Sequence, residues 1–510
     1  MNDVVIAEAW NYRAVYYSTF AGSLRANGYR GDIVVIGQPS IRQSILETMI
    51  LWNITFSEKN ISNRFYSQRF KDYESICVFP RTRCLCADFR DVFFQSNPFS
   101  HISEEIPDIT VFEESWPVGK CDLSKESVYR SCINRIPYKT CLDEKYLIDI
   151  SHYNVICSGV LLFTPKGIRE LSQKLINISN KCKINKLSDQ VSLNYIVRNN
   201  IINATIQTNG YNLVNTIGIQ TSTIKASKYF LKNFVKNGKV LQNDKYTISP
   251  VVHQYDRLKL RVKLVHQSSP NTYLFKHLME KMNLRIVING DHKNIHKMTE
   301  HEFCLNNSRC TFLTSEKVPI HNSIIIRDNC RLNAYWNSQF RFKKGLETLK
   351  TEKSRWVLQL DDDSYLAMDN LYDFTHSKNW LRPDYFSDFA NMDGAPCGGG
   401  GILFTGMAFQ KLDIHNCIET CKSISNDIII HKCASKYGLI PRYEFGCGTC
   451  GGSYNRSLSI TKIKNGLCMF AQMQRSHNII NFFSNNPSLM YDSRVAVSHR
   501  LRIDINKILY

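Results

Sequence analysis

Trp356-Val357-Leu358-Gln359-Leu360-Asp361-Asp362-Asp363-Ser364-Tyr365 is a short apolar run that breaks off into three adjacent carboxylates. A brief, mostly apolar run without helical spacing predicts a strand buried on both faces. Carboxylates crowded at a strand's end repel one another, and a packed domain tolerates them best beside a cation. Mn2+ or Mg2+, held by one or two carboxylates plus a diphosphate, suits that chemistry. Taken alone, the triplet reads more simply as a solvated acidic turn.

Working outward, similar runs recur at Leu284-Arg285-Ile286-Val287-Ile288 and Cys310-Thr311-Phe312-Leu313. Toward the N-terminus stand Ile33-Val34-Val35-Ile36, Ile76-Cys77-Val78-Phe79 and Val160-Leu161-Leu162-Phe163. Each is separated from the next by longer, helix-like patterns, so the expectation is an α/β fold with crossover helices. Gln267-Ser268-Ser269-Pro270-Asn271 is polar and rich in turn formers and marks the best boundary. Two tandem α/β domains, 1–268 and 273–510, are expected, and no short-period repeat is present.

The chain has 510 residues, 43% of them hydrophobic and 21% charged, which excludes disordered, collagen-like and coiled-coil classes. No run reaches the roughly 18 apolar residues of a membrane span. The first residues, Met1-Asn2-Asp3-Val4-Val5-Ile6-Ala7-Glu8, have neither the basic nor the apolar region of a secretory signal, so a cytoplasmic location is expected. Sixty-four Lys and Arg against 45 Asp and Glu give a net charge of +19. Spread over both halves, that excess favours phosphorylated small molecules or peripheral contact with an anionic membrane face. No nucleic-acid module is visible. The 18 cysteines include a lone Cys447-Gly-Thr-Cys450, which lacks the second pair of a zinc site. Nothing in the sequence calls for the oxidising compartment that disulfides need. The six Asn-x-Ser/Thr sites match chance and say nothing about secretion.

Downstream of the triplet stand Cys397-Gly398-Gly399-Gly400-Gly401, then Asn426-Asp427, then Arg475-Ser476-His477, and together they give it meaning. In order and spacing this half resembles the fringe-type β1,3-glycosyltransferases, inverting enzymes of the GT-A fold. Their pattern is W-x4-D-D-D-x-Y, then G-G-A-G, P-D-D and S-H. The resemblance covers about residues 284–500 and implies a role for each matching residue. Asp361, Asp362 and Asp363 would meet the donor, with Asp362 and Asp363 at the divalent ion and diphosphate. His477 would be a further metal ligand. Gly398, Gly399, Gly400 and Gly401 would let the backbone approach a sugar closely. Asp427 would be the general base that takes the acceptor hydroxyl proton. Two departures stand out: a fourth Gly replaces the Ala, and Asn426 replaces the first carboxylate of the acidic pair.

The first half carries Asp88-Phe89-Arg90-Asp91-Val92-Phe93-Phe94-Gln95-Ser96-Asn97-Pro98-Phe99, with two carboxylates and an arginine after an apolar run. A shared cation and an ordinary helix or turn start fit this segment equally well. Further on come Ser158-Gly159, Asp189-Gln190-Val191-Ser192-Leu193-Asn194 and His253-Gln254-Tyr255-Asp256-Arg257. Together they are similar to a nucleotide-diphospho-sugar transferase family marked by D-x-R-D-x-x-F-Q-x-x-P-F, S-G, D-Q-x-x-x-N and H-Q-Y-D-R. That resemblance covers about residues 10–260. It implies that Asp88 and Asp91 hold metal and diphosphate, with Arg90 at the donor and His253 completing the metal site. Asp189 would lie near the anomeric carbon, while Asp256 and Arg257 would orient the site.

The two resemblances together imply a bifunctional glycosyltransferase with two tandem GT-A-like domains and Mn2+ (or Mg2+) as cofactor. Its partners would be nucleotide-sugar donors and a glycan or glycoprotein acceptor. For the second domain the donor would be UDP-linked N-acetylglucosamine or galactose. The rival from another class is a carbohydrate-binding or scaffold protein built on catalytically dead transferase folds.

Overall fold

The computed structural model describes residues 3–39, 41–59, 68–117, 153–182, 188–218, 221, 223–257, 265–290, 302–305, 307–320, 322–326, 334–350, 353–362, 364–388, 395, 397–417, 426–443, 470–472 and 497–499. The chain separates into two compact units that meet in sequence between Pro270 and Asn271, and a short segment, Arg42–Glu47, groups with the second.

The strands of the first unit are β1 (Val4–Ala9), β2 (Asp32–Gly37), β3 (Thr55–Glu58), β4 (Cys84–Asp88), β5 (Val92–Phe94), β6 (Ile109–Pro117), β7 (Asn154–Phe163), β8 (Thr205–Gln207), β9 (Val214–Thr216), β10 (Val235–Lys236), β11 (Lys239–Val240) and β12 (Val251–His253). Seven form one sheet in the order β3-β2-β1-β4-β7-β6-β8. It is parallel except where β7 runs antiparallel to β4 and β6. Val4, Val5, Ile6 and Ala7 of β1 are fully buried, as a central strand covered on both faces requires. Phe70 and Tyr73 of the helix Gln68–Ile76 join one core with Ile168, Leu171 and Leu175 of the helix Pro165–Cys182. Leu193 and Ile196 of the helix Ser188–Arg198 belong to it too, and each such side chain contributes about 2 kcal/mol of burial.

The second unit contains β13 (Leu284–Asn289), β14 (Cys310–Thr314), β15 (Ser323–Ile325), β16 (Trp356–Asp361), β17 (Ser364–Leu366), β18 (Asp384–Asp388), β19 (Cys397–Thr405), β20 (Ile440–Arg442), β21 (Phe470–Gln472) and β22 (Val497–His499). Its main sheet has the order β15-β14-β13-β16-β19-β18-β20. Counted from each unit's first strand, the two orders are the same. In each unit the fifth strand leaves the main sheet for a three-stranded one, β5-β12-β9 in the first and β17-β22-β21 in the second. Phe342, Leu346 and Leu349 of the helix Ala334–Lys350 pack with Ile429 and Ile430 of the helix Asn426–Lys436 to form the second core.

Both units are therefore α/β, as expected, with two local corrections. Ile76-Cys77-Val78-Phe79 is no strand: Ile76 ends a helix, and Phe79 is 90% exposed in the turn after it. A four-residue apolar run has no period with which to tell strand from turn, and the true strand, β4, begins a few residues later. Gln267–Asn271 is not a turn but part of the helix Val265–Met282, which runs on through Pro270 at the loss of one backbone hydrogen bond.

Among the described residues three cysteine pairs are bridged: Cys77 with Cys84, Cys304 with Cys310, and Cys417 with Cys433, at Cα separations of 6.0, 5.4 and 5.3 Å. Cys86 and Cys157 are free and buried. No described helix is long and apolar enough to cross a membrane.

Candidate metal and donor site

In the first unit β4 leaves the main sheet after Asp88, and β5 begins at Val92 in the small sheet. The three residues between them, Phe89, Arg90 and Asp91, form the link. Phe89 anchors it, with ring centroids 4.5 Å from Tyr17 and 5.1 Å from Phe20. Strand β12 runs antiparallel to β5 and sets His253 opposite Val92. The Gln254 amide donates to the Asp91 carbonyl at 2.7 Å, fixing the crossing point.

This register gathers three potential ligands. Nε2 of His253 stands 3.6 Å from Oδ2 of Asp88 and 3.6 Å from Oδ1 of Asp91. All three ligand atoms lie within 4.8 Å of one another. Oxygen and nitrogen ligands at about 2.1 Å from an octahedral ion sit roughly 3.0 Å apart when adjacent and roughly 4.2 Å when opposed, so the spacing suits a small divalent cation. Nε2 is buried and has no hydrogen-bond partner among the described residues. On its other side Nδ1 lies 3.3 Å from the Thr216 hydroxyl and 3.4 Å from the Cys157 sulfur. Gly159 opens the remaining flank. A Cβ there would stand 2.4 Å from Cε1 of His253 and 2.6 Å from Oδ2 of Asp88. An orphaned imidazole nitrogen, two carboxylates and a cleared approach fit a divalent metal.

The electrostatics show what such an ion would relieve. Burial pushes the Asp91 carboxyl up to about 6; Asp256 and Asp88 add to the rise and His253 opposes it. Burial also pushes Asp88 up, but Arg69 and His253 outweigh it and hold that carboxyl at about 2. Burial pushes His253 down, yet Cys157, Asp91 and Asp88 carry it well above the usual imidazole range.

Arg69, from the helix Gln68–Ile76, ties this cluster to the next carboxylate. Its Nη1 donates to Oδ1 of Asp88 at 2.9 Å, and Nη2 lies 2.7 Å from Oδ2 of Asp189. The same Nη2 donates to the Ser158 carbonyl at 2.7 Å. Asp189 is the second residue of the helix Ser188–Arg198, so its position is a helix N-terminus as well as a flank of the site. Arg90 Nη2 pairs with Asp256 at 2.7 Å, and the Tyr255 hydroxyl donates to the Arg90 carbonyl at 3.1 Å. No motif points to Arg69. A single arginine on an amphipathic helix gives no sequence signal, and only the fold shows it between two carboxylates.

In the second unit Asp361 is the last residue of β16, and the Asp361 amide donates to the Ser364 hydroxyl across the acidic turn at 3.2 Å. The Asp362 amide donates to the Asn289 carbonyl at 3.1 Å. Gly398, Gly399, Gly400 and Gly401 lie in β19, the antiparallel neighbour of β16. Gly401 has φ +83°, a backbone angle that favours glycine, and its carbonyl accepts the Ser387 hydroxyl at 2.8 Å. Asp427 is the second residue of the helix Asn426–Lys436. Asp363 and His477 lie outside the described residues.

No family model matches the chain, and no curated protein matches it. Among solved structures, an active-site mutant of LgtC aligns with TM-score 0.31 and 14% identity over 50% of this chain and 87% of that one. The galactosyltransferase LgtC in complex with donor and acceptor sugar analogues aligns with TM-score 0.32 and 13% identity over 53% and 95%. The apo glycosyltransferase GlyE of Streptococcus pneumoniae TIGR4 gives TM-score 0.35 and 12% identity over 74% and 90%. Overlaps this loose do not decide an activity.

Proposed function

We propose that the chain is a metal-dependent glycosyltransferase with two GT-A-like domains, 1–268 and 273–510, each taking a nucleotide-sugar donor. The observation that carries this reading is the Asp88–Asp91–His253 cluster, with its buried, unpartnered imidazole nitrogen at the carboxyl end of a mainly parallel sheet. Ligands of open α/β sheets bind at that end.

In the first domain Asp88, Asp91 and His253 would hold Mn2+ or Mg2+, which supplies charge neutralisation for a departing diphosphate. Arg69 keeps Asp88 ionised and orients Asp189, whose carboxylate borders the site. Arg90, steadied by Asp256, presents a cation to the donor phosphates. In the second domain Asp361, Asp362 and Asp363 would meet the metal-bound diphosphate, and Gly399, Gly400 and Gly401 would allow close approach of a sugar. Asp427 would remove the acceptor proton, giving inversion and a β1,3 linkage from UDP-N-acetylglucosamine or UDP-galactose to a glycan or glycoprotein.

The test is a sugar-nucleotide panel scored for hydrolysis and transfer in Mn2+ or EDTA, with Asp88→Ala and Asp363→Ala beside the intact chain. Loss of a different donor in each variant is the expected result. Binding of sugars without turnover, unaffected by either substitution, would establish the carbohydrate-binding alternative instead.

A further inference from the structure

One face of the first unit lies outside the metal cluster and is strongly basic. Between residues 209 and 250 stand six lysines and Asp244, with no Arg or Glu. Three of those lysines fall on the helix Ile224–Phe234, which Thr223 caps by accepting the Ala226 amide at 3.1 Å. At about 3.6 residues per turn its side chains divide into two arcs. Ser227 and Phe230 are buried on one arc, where Phe230, Leu231 and Phe234 pack with Phe93 and Val252 of the small sheet that carries His253. The opposite arc holds Ile224, Lys225, Lys228, Tyr229 and Lys232, all exposed. Ile224 is 57% exposed there and Tyr229 62%.

The face continues past the helix. β10 and β11 are joined by Asn237-Gly238, with φ +52° and +72° as a tight hairpin turn requires, and Lys236 pairs with Lys239 across it. In the next turn Asp244 accepts the Tyr246 and Thr247 amides at 2.8 and 2.9 Å. That turn leaves Tyr246 88% exposed. Nζ of Lys245 stands 5.7 Å from the centre of the Phe234 ring, and Phe234 meets Tyr229 at 6.4 Å, so turn and helix share one surface. Among the described residues no carboxylate forms an ion pair with any of the six lysines.

Six lysines without counter-ions of their own call for an anionic partner, and Ile224, Tyr229 and Tyr246 add apolar contact at the same surface. The choice of residues separates the candidates. Protein interfaces enrich Arg and deplete Lys, and forked recognition of single phosphates favours the planar guanidinium, yet this face has no Arg. Compact ammonium groups on flexible stems suit a diffuse sheet of headgroup charge, and Tyr is at home at headgroup depth. We propose that the face formed by the helix Ile224–Phe234, the β10–β11 turn and Tyr246 docks the chain on an anionic phospholipid surface. Such docking needs neither metal nor sugar donor, so it stands apart from the function proposed above.

The experiment is sedimentation of the full chain with vesicles, in EDTA and without nucleotide sugar. Vesicles of phosphatidylcholine and phosphatidylserine mixed about 2:1 should bind it, less tightly as salt is raised, while phosphatidylcholine alone should not. Lys225→Gln/Lys228→Gln/Lys232→Gln should weaken that binding ~100-fold, at about fivefold for each lysine near the surface. Lys71→Gln/Lys166→Gln/Lys174→Gln removes the same charge from the helices Gln68–Ile76 and Pro165–Cys182 and should weaken it by no more than about threefold. No binding, equal binding to both vesicles, or an equal loss in both triple variants overturns the proposal. A second measurement uses the unsubstituted chain, in which serine-containing vesicles should protect Lys225, Lys228 and Lys232 from acetylation. Full acetylation of all three on the vesicle-bound chain refutes the docking face. Protection by soluble polyglutamate but not by vesicles assigns the face to an acidic protein instead.

Discussion

Gly159 leaves no room for a side chain against His253: a Cβ on it would stand 2.4 Å from Cε1 and 2.6 Å from Nε2 of the ring. His253 is 1% exposed and ends a strand paired on both sides, so the ring has nowhere to retreat. Gly159→Ala is expected to lower Mn2+ affinity at the first site by about tenfold or more, as displaced ligands do. Titration calorimetry on the full chain checks this, and unchanged affinity would mean that the ring does not ligate.

Arg69 is the charge partner of two carboxylates at once. Arg69→Met should cost on the order of 3 kcal/mol, because it strands the buried Asp189 without its counter-ion and leaves Asp88 with His253 alone. Urea unfolding measures that loss. Arg69→Met/Asp189→Asn should recover part of the stability without recovering turnover. A double variant no more stable than the single one would show that the stranded charge is not the cause.

The pH dependence comes from two carboxyls shifted in opposite directions. Asp91 is raised from 3.8 to about 6, so the folded, metal-free protein holds a proton there that the unfolded chain releases. Its contribution is complete below the unfolded value and is lost as pH rises through about 6, by on the order of 2–3 kcal/mol. Asp88, held at about 2, contributes stability that is present above 3.8 and lost as pH falls toward 2. In EDTA, unfolding free energy should therefore fall between pH 4 and pH 6, and Asp91→Asn should flatten that decline. Mn2+ should stabilise more as pH rises through about 6, where Asp91 ionises, and the gain should go on growing at higher pH as His253 gives up its proton to the ion. A metal effect that is flat from pH 4 to pH 7 would contradict this account.

The bridge between Cys77 and Cys84 closes a short loop at the foot of β4. Loop-closure entropy for so short a segment is worth about 2 kcal/mol. Alkylation of the unfolded chain before and after reduction should show that at least three pairs are protected, and reduction should lower the unfolding midpoint. Full alkylation without reductant would show that the cysteines remain thiols.

Much of the fold is legible in the sequence because it depends on local pattern. The apolar runs of β2, β13, β14 and β16 announce buried strands, and Asp361 does fall at a strand's end. The runs mislead where they are too short to carry a period, as at Ile76–Phe79. Of the site, Asp88 and Asp91 sit in one readable segment. Their meeting with His253 depends on β12 returning beside β5 across more than 150 residues, and no local spacing encodes that. Arg69 is invisible for the same reason. In the second half, motif spacing points to His477, which lies outside the described residues.

Among the described residues β12, which bears His253, is the last strand of the first unit in chain order, and it closes onto β5, which starts right after Asp91. During synthesis, then, Asp88 and Asp91 cannot meet His253 until nearly the whole of the first unit has left the ribosome. The first cluster becomes complete once residue 253 emerges, before any strand of the second unit exists. A chain stopped between the units would therefore already carry the whole Asp88–Asp91–His253 cluster.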